Sequence, residues 1–166
     1  MADYIFILGR DPELSLLELV SYLKARNIVY KIKANTKIAV LISLPELDFP
    51  QIILELGGTV KIAMVIDDMD SEVLYSGKSN KMKYAVSVYD DSDVNELRDY
   101  LKDRLKEERL KAAYKRSSRK EQYLMPNDVI RHGLLNGGFE LVVYDDIIAR
   151  TIAVFNPFKY EQRDKE

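Results

Sequence analysis

Two helix starts of the same kind divide the first third of the chain. Asp11-Pro12 and Asp48-Phe49-Pro50 each set an acidic cap before a proline. Proline costs little in a first helical turn, where the amides lack helical partners anyway. After the first start, Leu16, Leu19, Val20 and Leu23 recur at i, i+3, i+4 and i+7; after the second, Phe49, Ile52, Ile53 and Leu56 do the same. Each set is one apolar face of a helix. The first helix should end near Asn27, and the second should stop at Gly57-Gly58. Strand-like segments lie around them at 4–8, 28–33, 37–43 and 59–66, with Ala34-Asn35-Thr36 spaced as a hairpin turn. The order β-α-β-β-α-β is that of the ferredoxin-like split unit.

From Asp67 to Met82 the chain is polar and weakly periodic, which predicts a connector with a boundary near residue 75. Beyond it, 83–89 alternates as a strand through Tyr84, Val86 and Val88. Asp93 and Glu96 have capping-box spacing before a charged helix running towards Leu110, with Val94, Leu97, Leu101 and Leu105 on its buried side. Pro126 opens a shorter helix carrying Val129, Ile130 and Leu134, closed by Asn136-Gly137-Gly138. Segments 139–144 and 147–155 read as two strands joined at Asp145-Asp146. The fold class is therefore α+β, with domains at 1–75 and 76–160 and a tail at 161–166.

Composition removes several chemistries. The 166 residues contain no cysteine, which excludes disulfides, a thiolate nucleophile and cysteine-bound zinc or iron–sulfur. Apolar runs fall far short of the ~20 residues that cross a bilayer, and Met1-Ala2-Asp3 does not begin a secretory signal. The expectation is a cytoplasmic protein without a membrane partner. The net charge of −2 conceals an asymmetry, because from Lys102 to Lys120 nine basic residues stand against three acidic ones. A local positive field of that kind suits a phosphate backbone.

Other motifs carry less. Gly77-Lys78-Ser79 resembles the end of a phosphate-binding loop, but Glu72 stands where the motif needs its first glycine. The single histidine, His132, cannot build a multi-histidine metal site. The carboxylate pairs Asp67-Asp68, Asp90-Asp91 and Asp145-Asp146 read as turn residues. Asn156-Pro157-Phe158 has the start of an N-methyltransferase tetrapeptide without the glycine-rich cofactor turn, and reads as a strand exit. No cofactor and no metal are expected.

The basic stretch Lys115-Arg116-Ser117-Ser118-Arg119-Lys120, flanked by Tyr114 and Tyr123, combines cations, hydroxyls and stacking rings. The bland reading is a solvated loop; the larger basic segment favours RNA or another polyanion. Lys111, Lys115, Arg116, Arg119, Lys120 and Arg131 are the candidate phosphate contacts, with Tyr114, Tyr123 and His132 as candidate stacking partners.

The opening Tyr4-Ile5-Phe6-Ile7-Leu8-Gly9-Arg10-Asp11-Pro12-Glu13-Leu14, the block Leu56-Gly57-Gly58-Thr59-Val60-Lys61-Ile62-Ala63, and the later segments Gly138-Phe139-Glu140-Leu141-Val142-Val143, Arg150-Thr151-Ile152-Ala153-Val154 and Tyr160 to Arg163-Asp164 resemble the N-terminal region of archaeal-type tRNA guanine N2-methyltransferases. Around Leu124-Met125-Pro126-Asn127 the chain departs from that family, whose helix start carries hydroxyls. The resemblance implies a ferredoxin-like domain followed by a THUMP domain, a module that holds tRNA by its acceptor end and presents it to a separate methyltransferase domain. It implies a non-catalytic RNA-binding module, either standing alone or as the N-terminal part of a complete methyltransferase. A protein-interaction adaptor, with the acidic first domain as its contact surface, is the alternative.

Overall fold

The computed structural model describes residues 1–117 and 121–156. Among them are eight strands and four helices, a mixed α+β protein made of two compact units. Among the described residues the first comprises 1–65 together with 151–156, and the second comprises 66–150.

In the first unit, β1 (Ala2–Leu8), α1 (Pro12–Ala25), β2 (Lys31–Asn35), β3 (Ala39–Leu44), α2 (Phe49–Glu55) and β4 (Thr59–Val65) follow the β-α-β-β-α-β order. The strands lie as β2-β3-β1-β4 with antiparallel neighbours. Both helix starts form as their residues dictate. The Asp11 carboxylate accepts from the Leu14 amide at 3.1 Å, and that of Asp48 from the Gln51 amide at 3.3 Å. Leu19 and Leu23 from α1, and Phe49, Ile52, Ile53 and Leu56 at α2, pack on Tyr4, Phe6, Val40, Ile42 and Ile62 of the strands. The Glu18 carboxylate accepts from the amides of Gly57 and Gly58, fastening α1 to the turn before β4.

The β2–β3 turn lies later than its composition suggests. Thr36, placed in the turn from sequence, does turn the chain, but it does so by accepting the amides of Ile38 and Ala39, so the strands run to Asn35 and from Ala39.

The second unit contains β5 (Lys81–Val88), α3 (Asn95–Glu107), β6 (Lys111–Tyr114), α4 (Pro126–Arg131), β7 (Gly138–Tyr144) and residues 147–150 of β8 (Ile147–Val154). Its strands lie as β8-β7-β5-β6, with β5 parallel to both β6 and β7. Parallel neighbours need long crossovers, and α3 and α4 lie on those crossovers. Asp145 and Asp146, both at positive φ, make a two-residue turn that returns β7 into antiparallel β8. Met82, Tyr84, Val86 and Val88 face Leu101 and Leu105 of α3. The opposite face of β5 buries Ala85 and Ser87.

Three expectations differ. The division falls at 65/66 rather than near 75, because Leu74 is 1% exposed and belongs to the second core. The polar segment before β5 is fastened by distant side chains: Arg150 donates to the carbonyls of Val73 and Leu74, and Arg104 to those of Met69 and Glu72. Asp93 and Glu96 do not form a capping box, since Val94 occupies the cap position and Asp93 instead accepts from the Asn95 amide. The charged helix ends at Glu107 and Arg109 turns at φ 59°, leaving 111–114 to become an edge strand that composition does not announce. Tail residues 161–166, with Tyr160 and Pro157-Phe158, lie outside the described residues.

Candidate nucleic-acid interface

Strand alternation sorts the basic residues of the second unit. Along β5 and β6, even positions Met82, Tyr84, Ala112 and Tyr114 join the core under α3. Odd positions point the other way. Lys81 and Lys111 are register partners, Lys83 is paired with Ala113, and the Lys115 amide, one residue past β6, continues the ladder to the Tyr84 carbonyl at 2.8 Å. Lys81, Lys83, Lys111 and Lys115 therefore share one face of the sheet edge. None of the four has a carboxylate ion pair among the described residues.

The end of α4 adds to this face. His132 caps the helix and is half-buried; its pKa is held below the usual histidine value by burial, then by the positive charges of Arg131, Lys115 and Lys83, against an opposing pull from Asp128. Arg131, Lys115 and Lys83 thus all lie within electrostatic reach of His132. Arg131 is paired with Asp128 at 3.0 Å, yet its side chain remains 64% exposed.

Tyr114, Arg116 and Tyr123 lie elsewhere, at a cavity of about 570 Å³ at the carboxyl ends of β5 and β6. Arg98 from α3 stands 4.5 Å above the Tyr114 ring and Arg116 6.0 Å from it, while Tyr84 meets the ring edge-on. Tyr114 thus holds two guanidinium groups by cation–π contact, and its ring is taken up by them rather than offered for stacking. Tyr123 stacks on buried Tyr89 at 4.6 Å, 16° from parallel, and lines the cavity. Asp91, Asp93 and Glu121 also line it.

The loop carrying Tyr123 is anchored from below. Ser87 donates to the Glu140 carboxylate at 2.6 Å and accepts from the Leu124 amide at 2.9 Å, all of it buried. The Val88 amide bonds to the Gln122 carbonyl.

Of the residues singled out from sequence, Lys111, Lys115, Arg131 and His132 gather on the lysine face, and Tyr114, Arg116 and Tyr123 gather at the cavity. Arg119 and Lys120 lie outside the described residues. Sequence reasoning passed over Lys81, Lys83 and Arg98. The first two alternate with Met82 and Tyr84, the pattern that puts them on one face; Arg98 carries no such mark.

No family model matches the chain, and no curated protein matches it. Among solved structures, PH1313 from Pyrococcus horikoshii Ot3 is similar over 91% of this chain and 54% of that one, at 11% identity and a TM-score of 0.49. The chain thus spans about half the length of PH1313. At that level the likeness identifies neither a family nor an activity. Among the described residues no three His, Asp or Glu side chains are placed to hold a metal ion, and no helix is long and apolar enough to cross a membrane.

Proposed function

We propose that the second unit grips the phosphate backbone of a structured RNA, with tRNA as the leading candidate. In this reading it is the THUMP-like, non-catalytic half of a pair whose first half is ferredoxin-like, and it presents the RNA to a methyltransferase domain or subunit. One observation carries the reading: four lysines without ion pairs among the described residues stand on one face of the parallel strands β5 and β6, and two of them, Lys83 and Lys115, act on His132 together with Arg131. Such a surface contributes affinity through phosphates and little sequence information. The β2-β3-β1-β4 order with two helices, the parallel βαβ unit that follows, and the resemblance to tRNA guanine N2-methyltransferases support the assignment of the two halves.

Binding of tRNA measured across a salt series tests it. Affinity should fall linearly on a log–log plot, and Lys83→Ala with Lys115→Ala should reduce the slope by roughly 0.7–0.9 per cation. Salt-independent binding, or a slope unchanged by both substitutions, refutes the reading. Trimming the single-stranded 3′ end then distinguishes acceptor-end contacts from binding to the duplex.

A further inference from the structure

The cavity beneath α3 is distinct from the lysine face and has a different chemistry. It is about 570 Å³, inside the range of ligand pockets and ample for one nucleotide. Its walls carry three kinds of group. Arg98 and Arg116 are held over Tyr114, and neither has a carboxylate ion pair among the described residues. Tyr123 is fixed against buried Tyr89, so one side of a stack is already built and immobile. Three carboxylates complete the lining; Asp93 is engaged by the Asn95 amide, while Asp91 and Glu121 are exposed and have no such bond among the described residues.

Charge decides between ligands. A bare phosphate or sulfate would meet two guanidinium groups but three carboxylates, and would be opposed on balance. A nucleotide separates its needs: a phosphate for the guanidinium groups, a flat ring for tyrosine, and a base edge for the carboxylates. Carboxylates only accept hydrogen bonds at neutral pH, so they favour a base with an exocyclic amine. Cytosine, adenine and guanine have one; uracil turns a carbonyl oxygen to the same place.

We propose that this cavity holds one unpaired nucleotide, with its phosphate on Arg98 and Arg116 and its base stacked on Tyr123, and that Asp91 and Glu121 select an amine-bearing base over uracil. The nucleotide could come from an RNA strand or from solution; only the first source rests on the RNA reading above.

The test uses the full chain, titrated with CMP, UMP and inorganic phosphate, and with oligocytidylate and oligouridylate of equal length. Cytosine forms, free or in the strand, should bind about tenfold more tightly than uracil forms, within what one matched base contact provides. Inorganic phosphate should not compete. Asp91→Asn with Glu121→Gln, at exposed positions outside the core, should shrink the preference to about twofold or less, because a carboxamide can turn a donor to uracil. Tyr123→Ala should weaken both series, and Tyr123→Phe should restore them.

A cytosine preference that survives the two carboxamide substitutions, or equal affinity for the two bases, overturns the proposal. Binding of tRNA with no base preference and no response to the cavity variants overturns it and leaves the RNA reading standing. Binding of free CMP by a chain that does not bind tRNA does the reverse.

Discussion

Lys115 and Arg116 are neighbours in sequence and belong to different surfaces. Lys115 joins the lysine face and acts on His132, while Arg116 joins Arg98 over Tyr114. A run of cations is therefore not one site when it leaves a strand, because alternation sends successive side chains to opposite faces. The existence of a basic region was legible from composition, but its division was not, since that depends on β6 being a strand. His132 makes the division measurable. Burial and three cations depress its pKa in the free protein, and a phosphate placed beside them would raise it again. RNA binding should then take up a proton, so affinity should rise as pH falls towards and below the ordinary histidine value of 6.5. His132→Asn should flatten that dependence in titrations at constant salt. In the free protein the sign is opposite. A histidine depressed in the folded state contributes its full stability above pH 6.5, and that contribution falls as pH drops through 6.5 towards the folded-state pKa. Denaturant midpoints measured from pH 8 to pH 5.5 should show the decline in the parent and less of it in the Asn variant.

Elements with local signals were readable and those made by pairing were not. The starts of α1 and α2 follow from an aspartate and a proline within a few residues, and both form with the caps that sequence indicates. Strand β6 has the sequence Lys-Ala-Ala-Tyr, with two helix-favouring alanines in a charged run, and exists because β5 offers it a ladder. The β5–β7 pairing shows how closely such ladders are built. Gly138 faces Lys83 in register, and a Cβ at that position would collide with the Lys83 carbonyl oxygen. Backbone cannot swing aside as a side chain can. Gly138→Ala should cost about 1–3 kcal/mol in denaturant unfolding. The expected NMR signature is loss of amide protection across β5 and β7, with β1 to β3 unaffected.

For the molecule as a whole, the informative comparison is between where composition changes and where the units divide. Polarity after Asp67 suggests a boundary at 75, yet Ile66, Met69, Leu74 and Tyr75 all pack on the second core. Composition cannot register partners such as Arg150, which lies 76 residues from Leu74. Cutting the chain after 75 should therefore damage both parts. Residues 1–75 alone would lack Ala153, which is 2% exposed in the first core, and the bond from the Phe155 amide to the Val60 carbonyl. Their thermal midpoint should lie several degrees below that of the same unit with 151–156 restored by a linker, since ~1 kcal/mol moves a domain of this size by about 4–8 °C.

The first unit is completed by residues 151–156, which follow the second in the chain, and this sets an order on synthesis. A ribosome that has finished β4 has not yet made Ala153, so the nascent first unit must wait, with part of its apolar surface open, while some 85 residues of the second emerge. Translation speed through that interval, rather than any property of the finished protein, would set how long that exposed surface is available to chaperones or to other nascent chains.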